Sequence, residues 1–345
     1  PLLRAWLFVL AALIVVMVVV GGATRLTDSG LSITEWQPLL GAIPPLSDAA
    51  WQEAFEKYKQ IPEYTIVNSG MSLAAFKGIY WWEWAHRFLG RAIGVVFLVP
   101  FLYFLARGRI PRRLTWPLAG IFALGGLQGA IGWYMVSSGL AERVDVSHYR
   151  LTLHLGTAVL IFAAIFWLAL SLGQRPVDAG APPARARRLT AAAIAGLVFL
   201  QILLGGLVAG LKAGLSHNTW PLMDGQFIPD GLGAMSPWYL NPFENVMTVQ
   251  FDHRMLAYLV VVVVAVHVAL MRRDGGAGQG TAMVLAGAVL AQVLLGIGTL
   301  VMHVPLHLAL THQAGAVGLF AAALWHAHDL SRAAGAATPT VPAHA

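Results

Sequence analysis

The chain is 345 residues long, 58% hydrophobic and only 11% charged. Soluble domains carry about 25% charged residues, so this composition, with a mean hydropathy of +0.69, excludes an ordinary soluble globule. The absence of cysteine also excludes disulfides, thiolate-held clusters and thiol nucleophiles.

In chain order, apolar runs lie near 5–22, 82–105, 114–136, 148–172, 189–211, 250–270, 283–302 and 306–326. Each approaches the roughly 20 residues that cross a bilayer as a helix, and only helices or closed barrels satisfy their backbone there. The first run lacks an A-x-A-like cleavage site and reads as helix 1 rather than a cleaved signal. The loop that follows carries "LSDAAWQEAFEKYKQIPEY", which predicts an amphipathic helix lying at the membrane interface, placed to cover a site in the first half. The second run opens on "YWWEWAHRFLGRAIG", with Glu83, His86, Arg87 and Arg91 at its mouth. Ionisable residues entering hydrocarbon are costly and usually functional.

Two connections, "ARGRIPRR" and "GQRPVDAGAPPARARR", each hold four arginines, and a third begins "MRRDGG". The positive-inside rule puts all three, and both termini, in the cytoplasm. The net charge of +6 reflects this topology and does not indicate nucleic-acid binding.

The chain also repeats itself. Gly21, Gly22, Gly30, Leu31, Ser32, Trp36 and Gly41 recur at constant offset as Gly205, Gly206, Gly214, Leu215, Ser216, Trp220 and Gly225. "EWAHR" recurs as "QFDHR", Gln128 with Gly132 as Gln292 with Gly296, and "LTLHLG" as "LTHQAG". An internal repeat of this kind predicts an all-α integral membrane protein of eight transmembrane helices in two pseudo-symmetric four-helix bundles. The expected divisions are 1–172, a cytoplasmic linker at 173–188, a second bundle at 189–330 and a tail at 331–345.

The repeat singles out four of the twelve histidines: His86, His154, His253 and His312. Each lies within about two turns of the outer end of its helix, so at 1.5 Å per residue they share one layer. Bundles place cofactors between facing side chains, and two imidazoles per half suit a haem iron with two axial ligands. Gly90 and Gly94 after His86, and Gly315 and Gly318 after His312, predict a strip for a flat macrocycle, although small residues also serve helix packing. Arg87 and Arg254, with Arg25, Arg91, Arg143 and Arg150, are expected to hold propionates; the plainer alternative is anchoring to headgroups. His267, His326, His328 and His344 read as interfacial. His148, His217, His303 and His307 read as outer-side residues whose role the sequence leaves open.

The halves differ three residues before the histidine, where Glu83 faces Gln250. A carboxylate beside a porphyrin can move protons and an amide cannot. The alternatives are support of the helix N-terminus or pairing with Arg87 one turn on. The first half therefore reads as reactive and the second as a fixed redox relay.

The segments "GGATRLTDSGLSITEWQPLLGAIPPL", "FKGIYWWEWAHRFLGRAIG", "HLGTAVL", "FDHRMLAY" and "THQAG" together resemble the haem A synthase family, in its mitochondrial and alphaproteobacterial form, over nearly the whole chain. The resemblance implies an inner-membrane enzyme that oxidises the C8 methyl of haem O to a formyl group. It implies haem b on His253 and His312, and the substrate haem O between His86 and His154, with Glu83 as the essential acid. It also implies haem O synthase and an electron donor as partners, and leaves a homo-oligomer open. Some bacterial relatives carry a cysteine pair in the first outer loop, which this chain lacks. A diheme electron-transfer cytochrome and a haem carrier are the rival classes.

Overall fold

The computed structural model describes residues 1–38, 40–141, 143–173 and 183–336. Among them, eight helices are long and apolar enough to cross a membrane, and the protein is a multi-pass all-α membrane protein. The spans are α1 (Leu2–Leu26), α3 (Leu73–Ala106), α4 (Arg112–Ser137), α5 (His148–Ser171), α6 (Arg185–Gly210), α8 (Val246–Asp274), α9 (Gln279–Val301) and α10 (Leu306–Ala336). Two shorter helices, α2 (Asp48–Tyr58) and α7 (Asn241–Glu244), lie in the two long loops. The chain forms two compact units, Pro1–Ile165 with Ala209–Lys212, and Phe166–Val208 with Ala213–Ala345. Most of the expected linker (174–182) and the end of the tail (337–345), with His344, lie outside the described residues.

In the first unit, α1 packs along α3. Trp6 donates its indole N–H to the Val96 carbonyl at 2.8 Å and meets Phe97 edge-on at 5.2 Å. The span expected from residue 82 starts earlier, at Leu73, where the Ser72 hydroxyl accepts the Ala75 N–H and caps the helix. Its first turns bury Phe76 and Tyr80, contacts that hydropathy does not reveal. Phe76 lies 5.0 Å from Phe55, and Tyr80 lies 4.9 Å from Trp51.

Those partners belong to α2, the amphipathic helix expected at the interface. It is capped by Ser47 and buries Trp51, Phe55 and Tyr58. That apolar face turns onto α3 rather than into lipid, in a cluster with Leu31, Ile61, Val136 and Val146. Each large side chain buried there contributes about 1.5–3 kcal/mol, enough to fasten the loop without a membrane. Glu63 is also buried, at 4% exposure, with the Tyr58 hydroxyl 3.3 Å from its carboxyl. Burial raises the Glu63 carboxyl to about 8 and pushes the Tyr58 phenol up as well.

In the second unit, α8 packs on α9 and α9 on α10. α8 begins at Val246 because Asn245 caps it, its side-chain oxygen accepting from Met247 and Thr248. In the loop before it, buried Asn241 accepts the Met235 N–H at 3.0 Å and donates to the Trp238 carbonyl at 2.8 Å.

Candidate functional site: histidines seated on glycines

His86 and His154 come together in the first unit, with ring centroids 6.5 Å apart and planes at 65°. Each ring is seated against a glycine of a neighbouring helix. A Cβ on Gly21 of α1 would lie 2.9 Å from His86 Cε1, and one on Gly132 of α4 would lie 2.9 Å from His154 Cε1. The second unit repeats the device: Gly205 of α6 underlies His253 at 3.3 Å, and Gly296 of α9 underlies His312 at 2.9 Å. Among the recurring glycines of the sequence, Gly21, Gly132, Gly205 and Gly296 are therefore seats for imidazole rings. Of the glycines expected to clear a macrocycle, Gly94 and Gly318 have no atom within 4 Å of a built Cβ. Gly90 instead packs on Met17, and Gly315 on the Gln292 side chain.

Three of the rings are gripped by an amide one turn before the glycine. Gln128 donates to the His154 carbonyl at 2.8 Å and lies 3.1 Å from its Nδ1. Gln292 treats His312 in the same way, at 2.9 Å and 3.1 Å. Gln201 does so for His253, at 2.9 Å and 3.1 Å. The corresponding residue before Gly21 is Met17. The Gln128–Gly132 and Gln292–Gly296 repeat is visible in the sequence, but its purpose is not, because nothing local says that the amide faces an imidazole on another helix.

These residues fit a haem better than a bare ion. Among the described residues no three metal-ligating side chains converge, whereas a haem brings four nitrogens of its own and needs only two axial ligands. Metal–imidazole bonds of about 2 Å on both sides, with half a ring each, separate centroids by about 6 Å; the observed spacing is 6.5 Å.

Glu83 is 2% exposed and heavily engaged. One carboxylate oxygen accepts the Ser32 hydroxyl and the Ile33 N–H, both at 2.7 Å. The other accepts from Arg87 Nε at 3.0 Å and Nη2 at 2.6 Å. Four hydrogen bonds use the roughly four lone-pair sites of a carboxylate. Gln250 holds the equivalent loop with reversed polarity: its amide donates to the carbonyls of Ala213 at 2.8 Å and Ser216 at 2.5 Å and accepts from Arg254 at 2.9 Å. The first loop offers donors and needs a carboxylate; the second offers acceptors and needs an amide.

The arginines are similarly engaged with loop backbone. Arg87 donates to the carbonyls of Glu35 at 2.9 Å and Ile33 at 2.7 Å. Arg254 donates to Thr219 at 2.9 Å and His217 at 2.6 Å, and Arg91 to Pro38 at 2.8 Å and Gln37 at 2.9 Å. Buried N–H groups without a partner among the described residues remain on Arg91 Nη1 and Arg254 Nε. A cleft of about 260 Å³, lined by Ser32, Lys57, Tyr80, Arg87 and Arg91 among others, lies under this loop. It is below the 300–1,000 Å³ of ordinary ligand pockets and too small for a macrocycle, and its cations are set against Glu35 and Glu53, both of which pair with Lys57.

Two further expectations are corrected. His267 and His326 are not interfacial: they are 1% and 0% exposed, with Nε2 atoms 2.9 Å apart and Thr281 2.8 Å from the other nitrogen of His326. His328 is buried against Trp167 and lies 3.3 Å from Ser171. Facing polar partners on other helices make burial tolerable, and one helix read alone cannot show them. Among the remaining histidines, His217 bonds the Asp224 carboxylate, His148 is buried and His303 takes a positive φ of 62°.

The family described as cytochrome oxidase assembly protein matches residues 4–324. A haem A synthase of Azorhizobium caulinodans is 56% identical over 331 residues, covering 95% of this chain and 94% of the relative. That of Parvibaculum lavamentivorans is 53% identical over 332 residues, with 95% and 94% covered. That of Nitrosospira multiformis is 52% identical over 330 residues, with 95% and 93% covered.

Proposed function

Since this chain belongs to the cytochrome oxidase assembly protein family, we infer that it carries out the reaction its relatives are named for, the making of haem A. It is an oxidoreductase whose substrate is haem O. The C8 methyl of the substrate is carried to a formyl group through two hydroxylations, each taking one oxygen atom from an oxidising co-substrate and removing two electrons from the carbon, and the geminal diol then loses water to leave the aldehyde. The observation that carries this reading is the His86–His154 pair, seated on Gly21 and Gly132 at a spacing that suits two axial ligands of one iron.

In our reading the two units are four-helix bundles with divided labour. His86 and His154 would hold the substrate haem, and His253 and His312 would hold a resident haem b, whose chemistry when bound would be one-electron transfer. Seating each ring on a glycine fixes the direction its nitrogen points, so the macrocycle docks in one orientation. Arg87 and Arg254 fasten the outer loops over the sites, while the spare N–H groups of Arg91 and Arg254 donate to propionates. Glu83 acts first as the anchor of its loop; any proton transfer by it requires release of a bond to Ser32, Ile33 or Arg87. The sites face the periplasm and both termini the cytoplasm of the inner membrane, and haem O synthase and an electron donor are the partners the reaction requires.

Pigments extracted from the purified full-length protein test this assignment. Haem b together with haem O, haem A or an intermediate is expected. Two equivalents of haem b and no formyl haem from cells that supply haem O would overturn it.

A further inference from the structure

A histidine bound to metal almost always hands its second ring N–H to an acceptor, which fixes the ring and strengthens the bond. His154, His253 and His312 each have a glutamine amide 3.1 Å from Nδ1, and in all three the amide oxygen is buried with no other partner among the described residues. As placed, each amide nitrogen faces Nδ1 and donates to the carbonyl of the same histidine; turning the amide over, with loss of that bond, brings its oxygen to receive Nδ1–H once Nε2 is on the metal. His86 has no such amide. Its Nδ1 is buried without a partner among the described residues, and the residue one turn before its glycine seat is Met17. Met17 fills the slot in the manner of its counterpart. Its methyl would lie 3.3 Å from a Cβ on Gly90, one turn beyond His86, and the Gln292 side chain abuts Gly315 just beyond His312. A thioether is at best a weak acceptor, and Met17 is 4 residues before Gly21 as each glutamine is before its own glycine.

We propose that His86 is the releasable ligand of the four, and that Met17 in the place of a glutamine makes it so. The inference rests on the reading that these rings bind haem. Loss of such an outer partner weakens metal affinity by roughly 10–100-fold. One site can thereby open a coordination position to a small external ligand while the other stays closed, a division that suits a reactive haem beside a relay. Met17 is a positioning residue that acts through His86.

Carbon monoxide binding to the reduced, full-length protein in detergent reads this directly, with haem content counted on the same sample. The wild type should bind carbon monoxide at one of its two haems. Met17→Gln should retain both haems and weaken that binding by about 10–100-fold. The converse variant, Gln292→Met, should make the second haem reactive toward carbon monoxide, so the idea stands or falls even if Met17→Gln does not fold. Two retained haems with unchanged carbon monoxide affinity in Met17→Gln, or a second haem that stays closed in Gln292→Met, would overturn the proposal. A wild type with only one haem per chain would instead overturn the two-site reading beneath it.

Discussion

Glu83 on α3 accepts the Ser32 hydroxyl at 2.7 Å, tying the start of the first outer loop to the helix that carries His86. The counterpart Gln250 donates to the Ser216 carbonyl at 2.5 Å. This inversion gives the Glu/Gln difference a structural cause that is independent of proton transfer.

Glu83→Gln therefore replaces one acceptor oxygen by an NH2 group, which cannot receive the Ile33 N–H or the Arg87 guanidinium. Leaving buried donors unsatisfied costs about 1–3 kcal/mol each, so the loop should loosen, and haem A formation should fall on the order of a hundredfold while haem b is kept. Ser32→Ala removes one bond and keeps the charge; it should lose much less activity. Hydrogen exchange of residues 29–37 decides the cause. Lost conversion with an unchanged loop would assign Glu83 to proton transfer.

His253→Ala or His312→Ala should abolish the low-spin haem b spectrum, since each would remove one axial bond of the resident haem. His86→Ala should leave that spectrum in place. A double His253/His312 variant that keeps a full haem b signal would shift the resident site elsewhere.

Gly296→Ala places a Cβ 2.9 Å from the His312 ring, closer than real Cβ contacts allow, so the ring must turn. Haem b retention should drop severalfold or more. Gly280→Ala, with nothing within 4 Å, should fold and bind haem as the wild type does. Spectra of both purified variants separate a ring seat from a general packing effect.

The buried Glu63 predicts a pH dependence. Its folded value of about 8 lies above the ordinary 4.5, so the folded state holds the proton more tightly and the unfolded state loses it first. Stability of the α2 region is complete below about pH 4.5 and declines as pH rises through 8, by up to a few kcal/mol. Glu63→Gln should flatten that decline. Proteolysis of the loop at pH 6 and pH 9 measures it.

A cysteine at exposed Gln52 on α2 would be the sole cysteine of the chain. An impermeant maleimide should label it from the periplasmic side of intact cells, as the arginine-rich connections require. Labelling only in inverted vesicles would reverse the topology.

The amino-acid sequence by itself determined the eight spans, because lipid demands long apolar runs and the chain offers few alternatives. It also determined the four histidines, since only an internal repeat distinguishes them from the other eight. What it left open was which side chains meet across helices beyond the paired histidines. The early start of α3 at Leu73 depends on aromatic contacts with α2, and the burial of His267 depends on His326. Gln128, Gln201 and Gln292 carry the same spacing to glycine as Met17 does, yet spacing along one helix says nothing about what the side chain faces. Tertiary packing decided that three amides lie at hydrogen-bond distance from imidazole nitrogens, while Nδ1 of His86 has no hydrogen-bond partner among the described residues. Hydrogen-bond partners of buried groups are chosen across helices, where no local pattern of residues records them.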